Sequence, residues 1–144
     1  MKPADHIKDS IARYPELGLV VSVLRYEDAK DCPFRNVLDK IRDKWSFSIL
    51  AVLEDGPKRF NEMKRQRLLG AISQRVLSKS LRDLERDGYV SRTVYPVSPP
   101  KVEYELTELG SSLLKPINEF MNWAIAANPQ IQQARKRYDS TARR

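Results

Sequence analysis

The chain has 144 residues, 41% of them hydrophobic, which is enough for one core and excludes two large domains. With 31% charged residues, a net charge of +7 and no apolar run of the roughly 18 residues that a membrane span needs, we expect no membrane partner. A single cysteine excludes an internal disulfide framework, and the N-terminus lacks the apolar core of a signal peptide, so we expect a cytoplasmic protein.

Residues 1–31 form an N-terminal extension with weak structural signals. Ile7, Ile11 and Tyr14 have helical spacing, and the apolar run from Leu19 to Leu24 fits either a strand or a helix. We expect this extension to contribute to a dimer interface, where its apolar side chains would be buried.

Three helices are predicted next. Pro33 suits the first position of a helix, and the apolar residues that follow it share one helix face: Phe34, Val37, Leu38 and Ile41. A second helix, residues 45–53, ends at the turn Asp55-Gly56-Pro57. A short third helix covers residues 59–65.

The clearest helix signature lies in residues 72–88. Ser73 is a typical N-cap, Ile72 and Leu77 form a hydrophobic staple, and Gly88 closes the C-terminus. A helical wheel places the core face on the following residues: Leu77, Leu81 and Leu84, with Val76 beside them.

The opposite face of this helix carries side chains that suit nucleic-acid recognition. Arg pairs with guanine, Gln with adenine, and Ser with either base. The predicted contacts are Arg75, Lys79 and Arg82 on this face, Gln74 and Ser78 at its edge, and the N-cap residue Ser73. The surrounding residues 58–101 contain eleven Lys and Arg against four Asp and Glu, which favours a polyanion as partner. The alternative interpretation is an ordinary solvated helix face.

A β-hairpin follows this basic helix directly. Tyr89 to Val97 is the first strand, Ser98-Pro99-Pro100 the turn, and Val102, Tyr104 and Leu106 mark the return strand. A short helix, a turn, a basic helix and a hairpin form the order of a winged helix-turn-helix, in which the second helix enters the major groove. We therefore predict a mainly α fold with a small β-hairpin (α+β) and a DNA-binding domain at residues 32–106. Further contacts are predicted on the wing and flanks: Arg59, Lys64, Arg92 and Lys101.

Thr107 is predicted to cap a last helix from Glu108 to about Ala127. Asn128-Pro129 should stop this helix, and residues 128–144 should form a basic, frayed tail. The apolar stripe of residues 107–127 is wider than one core requires, which predicts a homodimer. The predicted interface residues are Leu113, Ile117, Phe120, Met121 and Ala124.

Several separate segments resemble, in order and spacing, the HxlR-type winged helix-turn-helix regulators. They include Cys32-Pro33, Lys44-Trp45, residues 55–63, Ile72-Ser73-Gln74-Arg75-Val76-Leu77, residues 84–90 and residues 92–107. The resemblance covers residues 32–125. It implies a homodimeric repressor or activator that binds a pseudo-palindromic site and dimerises through helices outside the DNA-reading unit. The link from Lys64 to Ala71 and the extension before Cys32 are longer than is usual in that family.

Cys32 is the candidate for regulation. Its place beside Pro33 puts it near a helix N-terminus, where the helix dipole favours the reactive thiolate. Some members of the resembled family sense oxidants or electrophiles through a cysteine at this place. A packed, inert thiol is the alternative. One Cys and one His cannot assemble a zinc site from the usual soft ligands, so we predict no metal and no cofactor. A pocket between helices could still bind a small-molecule effector.

The leading hypothesis is therefore a homodimeric transcriptional regulator that binds double-stranded DNA. The alternative is a winged-helix protein-interaction module whose basic helix binds an acidic partner. An enzyme is the least favoured, because Asp83, Glu85 and Asp87 lie on the basic helix and suit salt bridges better than acid/base catalysis.

Overall fold

The computed structural model describes residues 33–142. The predictions for residues 1–31 and for Cys32 lie outside this part of the chain. In chain order the elements are α1 (Pro33–Arg42), α2 (Ser46–Val52), α3 (Phe60–Lys64), a 3-10 helix (Arg67–Leu69), α4 (Gln74–Arg86), β1 (Val90–Tyr95), β2 (Lys101–Leu106) and α5 (Glu108–Ala142). This is the order of a winged helix-turn-helix, so the predicted fold class is confirmed. The chain divides after Phe47 into two compact units.

The described part of the first unit consists of α1, the turn that follows it and the first two residues of α2. Pro33 is the first residue of α1, as predicted. Asp43 organises the turn, because its carboxylate accepts hydrogen bonds from the Trp45 backbone N–H at 3.4 Å and from the Ser46 hydroxyl at 2.7 Å. An Asp that binds nearby backbone and hydroxyl donors in this way stabilises a turn.

The second unit has an aliphatic core drawn from α2, α3, the 3-10 helix, α4 and β1. Its most deeply buried side chains are Ile49, Leu50, Leu53, Met63, Leu69, Leu77, Leu81, Leu84 and Val90. The predicted core face of α4 is thus confirmed for its three leucines. Val76 was predicted to lie beside that face, but it is 37% exposed. The reason is geometric, since one residue step turns a helix by about 100° and carries Val76 away from Leu77.

The wing is an antiparallel hairpin whose register runs from Val90 opposite Leu106 to Tyr95 opposite Lys101. The predicted first strand is shorter than expected and ends at Tyr95. Three of the five residues at 96–100 are prolines, which cannot donate to a strand ladder. A third segment joins the sheet at Lys58, whose backbone exchanges hydrogen bonds of 2.9 and 2.8 Å with Tyr104.

Helix α5 is much longer than predicted. It continues to Ala142 with Pro116 and Pro129 inside it, so the prediction that Asn128-Pro129 ends the helix was wrong. Proline removes one backbone donor but has a φ that suits a helix. The residues after Pro129 include Gln, Ala, Arg and Lys, which favour helix formation beyond the proline. Even α5 lacks a stretch apolar enough to cross a bilayer, as do the other helices of residues 33–142.

Thr107 and Gly110 fix the start of α5 to the end of α4. The Thr107 hydroxyl accepts a hydrogen bond from the Gly110 N–H at 3.1 Å and donates to the Gly88 carbonyl, so the predicted cap is confirmed. The Thr107 backbone N–H donates to the Tyr89 carbonyl at 3.1 Å. Gly110 lies so close to Tyr89 that a Cβ would overlap the Tyr89 carbonyl oxygen. This close approach positions α5 against the wing.

Candidate nucleic-acid interface

The N-terminus of α4 is held by the turn before it and by its own cap. The Ser73 hydroxyl accepts a hydrogen bond from the Val76 N–H at 3.2 Å, as predicted for an N-cap. The long link from Lys64 to Ala71 is ordered by the 3-10 helix, which buries Leu69. Its end is joined to the start of α4 because the Ile72 N–H donates to the Leu69 carbonyl at 3.1 Å. These contacts set the direction in which α4 leaves the turn.

The C-terminus of α4 closes as predicted at Gly88. This glycine has a φ of +84°, a conformation that residues with a Cβ adopt with difficulty. Its N–H donates to Glu85 at 3.0 Å, and the Tyr89 N–H donates to Leu84 at 3.0 Å. The two bonds form a Schellman motif, which turns the chain into the wing.

The face of α4 opposite its buried leucines carries Arg75, Lys79 and Arg82, with Gln74 and Ser78 at the edge of that face and Ser73 at the N-cap. Of these predicted recognition side chains only Ser78 is half-buried, and the others are exposed. Three cations therefore share one accessible helix face, with an amide at its edge.

The cations on this face differ in their electrostatic surroundings. Lys79 lies 2.9 Å from the Asp83 carboxylate, which partly compensates its charge. Within residues 33–142, by contrast, Arg75 and Arg82 have no carboxylate within salt-bridge distance. Arg75 and Arg82 are therefore the strongest candidates for contacts with an anionic partner.

The predicted contacts outside α4 are less uniform. Arg59 and Arg92 are exposed, whereas Lys64 is half-buried. Lys101 begins β2 and is also half-buried. Its ammonium lies 2.8 Å from the Glu103 carboxylate and 5.2 Å from the centre of the Tyr95 ring. Lys101 thus already has partners within the wing.

Glu103 is a member of this cluster that sequence reasoning missed. The hydrogen bond from Lys101 is the main cause that holds the pKa of Glu103 below its ordinary value. Burial opposes this shift, while the charge of Lys101, a hydrogen bond from Tyr95 and the charge of Arg59 add to it. The signal was present in the sequence, because Lys101 and Glu103 are two apart on a strand and so share one face.

The predicted interface residues of α5 also fall into different environments. Phe120, Met121 and Ala124 are exposed, and Leu113 is half-buried. Ile117 is already buried within the chain, so it adds little area to an interface. Phe120 is stacked with Trp123, with ring centres 6.3 Å apart. An apolar surface therefore remains on the middle of α5.

The chain matches a known protein family and is similar to known proteins of that kind. The HxlR-like helix-turn-helix family matches residues 40–132. The HTH-type transcriptional regulator YdeP of Bacillus subtilis is 43% identical over 116 residues, which are 78% of this chain and 89% of YdeP.

Two solved structures are also similar to this chain. The redox regulator HypR in its reduced form has a TM-score of 0.62 and 40% identity, covering 70% of this chain and 98% of HypR. Diamide-treated YodB of B. subtilis has a TM-score of 0.58 and 38% identity, covering 66% of this chain and 93% of YodB.

Proposed function

This chain belongs to the HxlR-like helix-turn-helix family of transcriptional regulators, and we propose that it binds a specific double-stranded DNA site as a homodimer. The observation that carries the proposal is the exposed polar face of α4. Gln74, Arg75 and Arg82 project from a helix that is capped at both ends and anchored by buried leucines on its other side. The second helix of a helix-turn-helix reads the major groove with residues at its N-terminal end.

The position of each side chain along α4 suggests its role. Gln74 and Arg75 belong to the first turn, so they are proposed to read base edges, with Arg75 pairing with a guanine and Gln74 with an adenine. Lys79 and Arg82 lie further along the helix and are proposed to contact phosphates or flanking bases. Arg59, Lys64 and Arg92 would add phosphate contacts that fix the orientation without reading sequence.

The homodimer is proposed to form through α5. Phe120 and Trp123 are 64% and 61% exposed, which is unusual for stacked aromatic side chains on a helix surface. A seam of apolar and small residues continues past Pro129 at alternating spacings of four and three residues: Phe120, Ala124, Ala127, Ile131, Ala134 and Tyr138. This is the spacing of a helix that packs against another helix in a coiled coil. The unexpected length of α5 therefore supports a longer interface than residues 107–127 alone would provide.

The distribution of charge along α5 also favours a partner helix of opposite direction. Glu108, Lys115 and Glu119 give its first half a net charge of −1, whereas Arg135, Lys136, Arg137 and Asp139 give its last part a net charge of +2. An antiparallel pair would bring the basic end of one helix alongside the weakly acidic half of the other. Such a pair has two-fold symmetry and would present two copies of α4 to an inverted repeat.

The test of the α4 assignment is the substitution Arg75→Ala, measured by fluorescence anisotropy on duplex DNA. The matched control is Lys115→Ala, which removes another exposed cation but on α5. We expect Arg75→Ala to weaken binding to the specific site by about 1–3 kcal/mol, roughly 5- to 150-fold, and to relax the preference for one base. Equal binding by both variants, or a preference for an acidic protein over DNA, would contradict the proposal.

We further propose that oxidation of Cys32 modulates DNA binding. Cys32 comes immediately before Pro33 in the sequence, and Pro33 is the first residue of α1. The proposal is that the dipole of α1 favours the Cys32 thiolate. The similar proteins include one described as a redox regulator and one solved after diamide treatment. Cys32 is the only cysteine of the chain, so any disulfide it forms must join two chains or a chain and a small thiol.

A further inference from the structure

We propose that Glu103 competes with DNA phosphates for Lys101 and so keeps the affinity of the wing for non-specific DNA low. The inference rests on the proposed DNA-binding function. The residue that limits binding is a carboxylate next to the basic segment 58–101, and not one of the cations of that segment.

The geometry of the wing supports this role. Lys101 and Glu103 lie on one face of β2, and Tyr95 is directly opposite Lys101 in the hairpin register. One Glu103 oxygen lies 2.8 Å from the Lys101 ammonium, and the other accepts a hydrogen bond from the Tyr95 hydroxyl at 3.4 Å. The Lys101 ammonium also stands 5.2 Å from the Tyr95 ring centre. Lys101, Glu103 and Tyr95 therefore form one cluster joined by an ion pair, a hydrogen bond and a cation–π contact.

The chemistry of the pair explains the competition. A carboxylate and a phosphate both offer anionic oxygens to an ammonium group, and such charge-assisted hydrogen bonds are the stronger kind. The side chains of Lys101 and Glu103 are 37% and 22% exposed, so solvent screens their attraction less than it screens a fully exposed pair. Lys101 can bind a phosphate only if its ammonium leaves Glu103 or if the Glu103 carboxylate stays beside it and repels the phosphate. Either route cancels most of the electrostatic gain.

The chain contains a matched acidic residue without this contact. Glu105 lies two residues further along β2, on the same face, and is exposed. Within residues 33–142, no cation lies within salt-bridge distance of its carboxylate. Glu103→Gln and Glu105→Gln therefore remove the same charge from the same strand, but only the first releases Lys101.

The experiment measures the affinity of the full chain for a random-sequence duplex as a function of salt. Freeing one cation should make the slope of the logarithm of the binding constant against the logarithm of the salt concentration more negative by about 0.9. Near 0.1 M salt this corresponds to binding that is about 8-fold tighter. We expect this gain for Glu103→Gln and a clearly smaller change for Glu105→Gln. Lys101→Ala should abolish the gain in the Glu103→Gln background. In the otherwise unchanged chain its effect should be much smaller than the DNA contact predicted from the sequence implies, because Glu103 already binds the Lys101 ammonium.

Each other outcome would overturn the inference. If Glu103→Gln binds DNA no more tightly than Glu105→Gln, Glu103 has a purely structural role in the wing. If Lys101→Ala reduces the salt slope of DNA binding by about one unit in the otherwise unchanged chain, Lys101 contacts a phosphate even with Glu103 beside it. This second variant retains Glu103, so its result does not depend on how Glu103→Gln folds. Failure of the unchanged chain to bind any duplex would instead refute the proposed function, and this inference with it.

Discussion

Gly110→Ala is expected to destabilise the protein, because α5 passes the Tyr89 backbone too closely to leave room for a side chain. A Cβ at this position would stand 3.1 Å from the carbonyl carbon of Tyr89 and closer still to its oxygen. It would also stand 3.2 Å from a methyl group of Leu106. The main obstacle is backbone rather than the end of a flexible side chain, so α5 itself would have to move.

The expected magnitude follows from three contributions. Overpacking costs about 1–3 kcal/mol. Movement of α5 would also weaken the hydrogen bond from the Thr107 N–H to the Tyr89 carbonyl, which contributes about 1 kcal/mol. Alanine favours a helix over glycine by about 1 kcal/mol, which offsets part of the cost. The net loss in the free energy of unfolding should be about 1–3 kcal/mol, or a decrease in Tm of roughly 2–12 °C.

The assay is thermal unfolding followed by circular dichroism, with Gly70→Ala as the matched control. A Cβ at Gly70 would meet only the Arg67 carbonyl oxygen, at an ordinary 3.6 Å, and the φ of Gly70 is −60°. We expect Gly70→Ala to change the free energy of unfolding by no more than about 1 kcal/mol. A Gly110→Ala chain as stable as Gly70→Ala would refute the account of how α5 joins the wing.

Three further predictions concern assembly, redox response and pH. Replacing both Phe120 and Met121 with Glu should give a monomer or an insoluble chain that no longer binds the DNA site, because unpartnered charges are costly in an interface; a variant that sediments as a dimer would place the interface elsewhere. Diamide or a quinone should lower DNA affinity, and Cys32→Ser should bind normally without responding; identical responses would make the thiol structural. The pKa of Glu103 is lowered in the folded chain. Ionised Glu103 therefore stabilises the fold fully at pH values above its ordinary pKa of 4.5, and this stabilisation is lost as the pH falls through the lowered pKa. The stability difference between the unchanged chain and Glu103→Gln should therefore shrink in acid, as urea unfolding at several pH values would measure, and a constant difference would contradict the pairing with Lys101.

The recognition helix could be predicted from the sequence because its signals are local. The Ser73 cap and the Gly88 closure depend on residues within one or two turns of each helix end. The burial of Leu77, Leu81 and Leu84 follows from helical spacing alone. Each of these features therefore depends on residues that are close together in the sequence.

Other features depend on contacts between distant residues or on competing local effects. Gly110 is required because of Tyr89, which lies on the other side of the hairpin in sequence. The pairing of Lys58 with Tyr104 likewise joins segments that no local pattern relates. Pro129 is a strong local signal for a helix end, yet α5 continues through it to Ala142.

We propose that two copies of α4 read a symmetric DNA site. The most direct test is selection of binding sequences from a random duplex library with the purified full chain. We predict an inverted repeat whose half-site centres are separated by about one helical turn, roughly 34–36 Å, or a multiple of it. Recovery of a single unrepeated half-site, or no enrichment of any sequence, would contradict the claim.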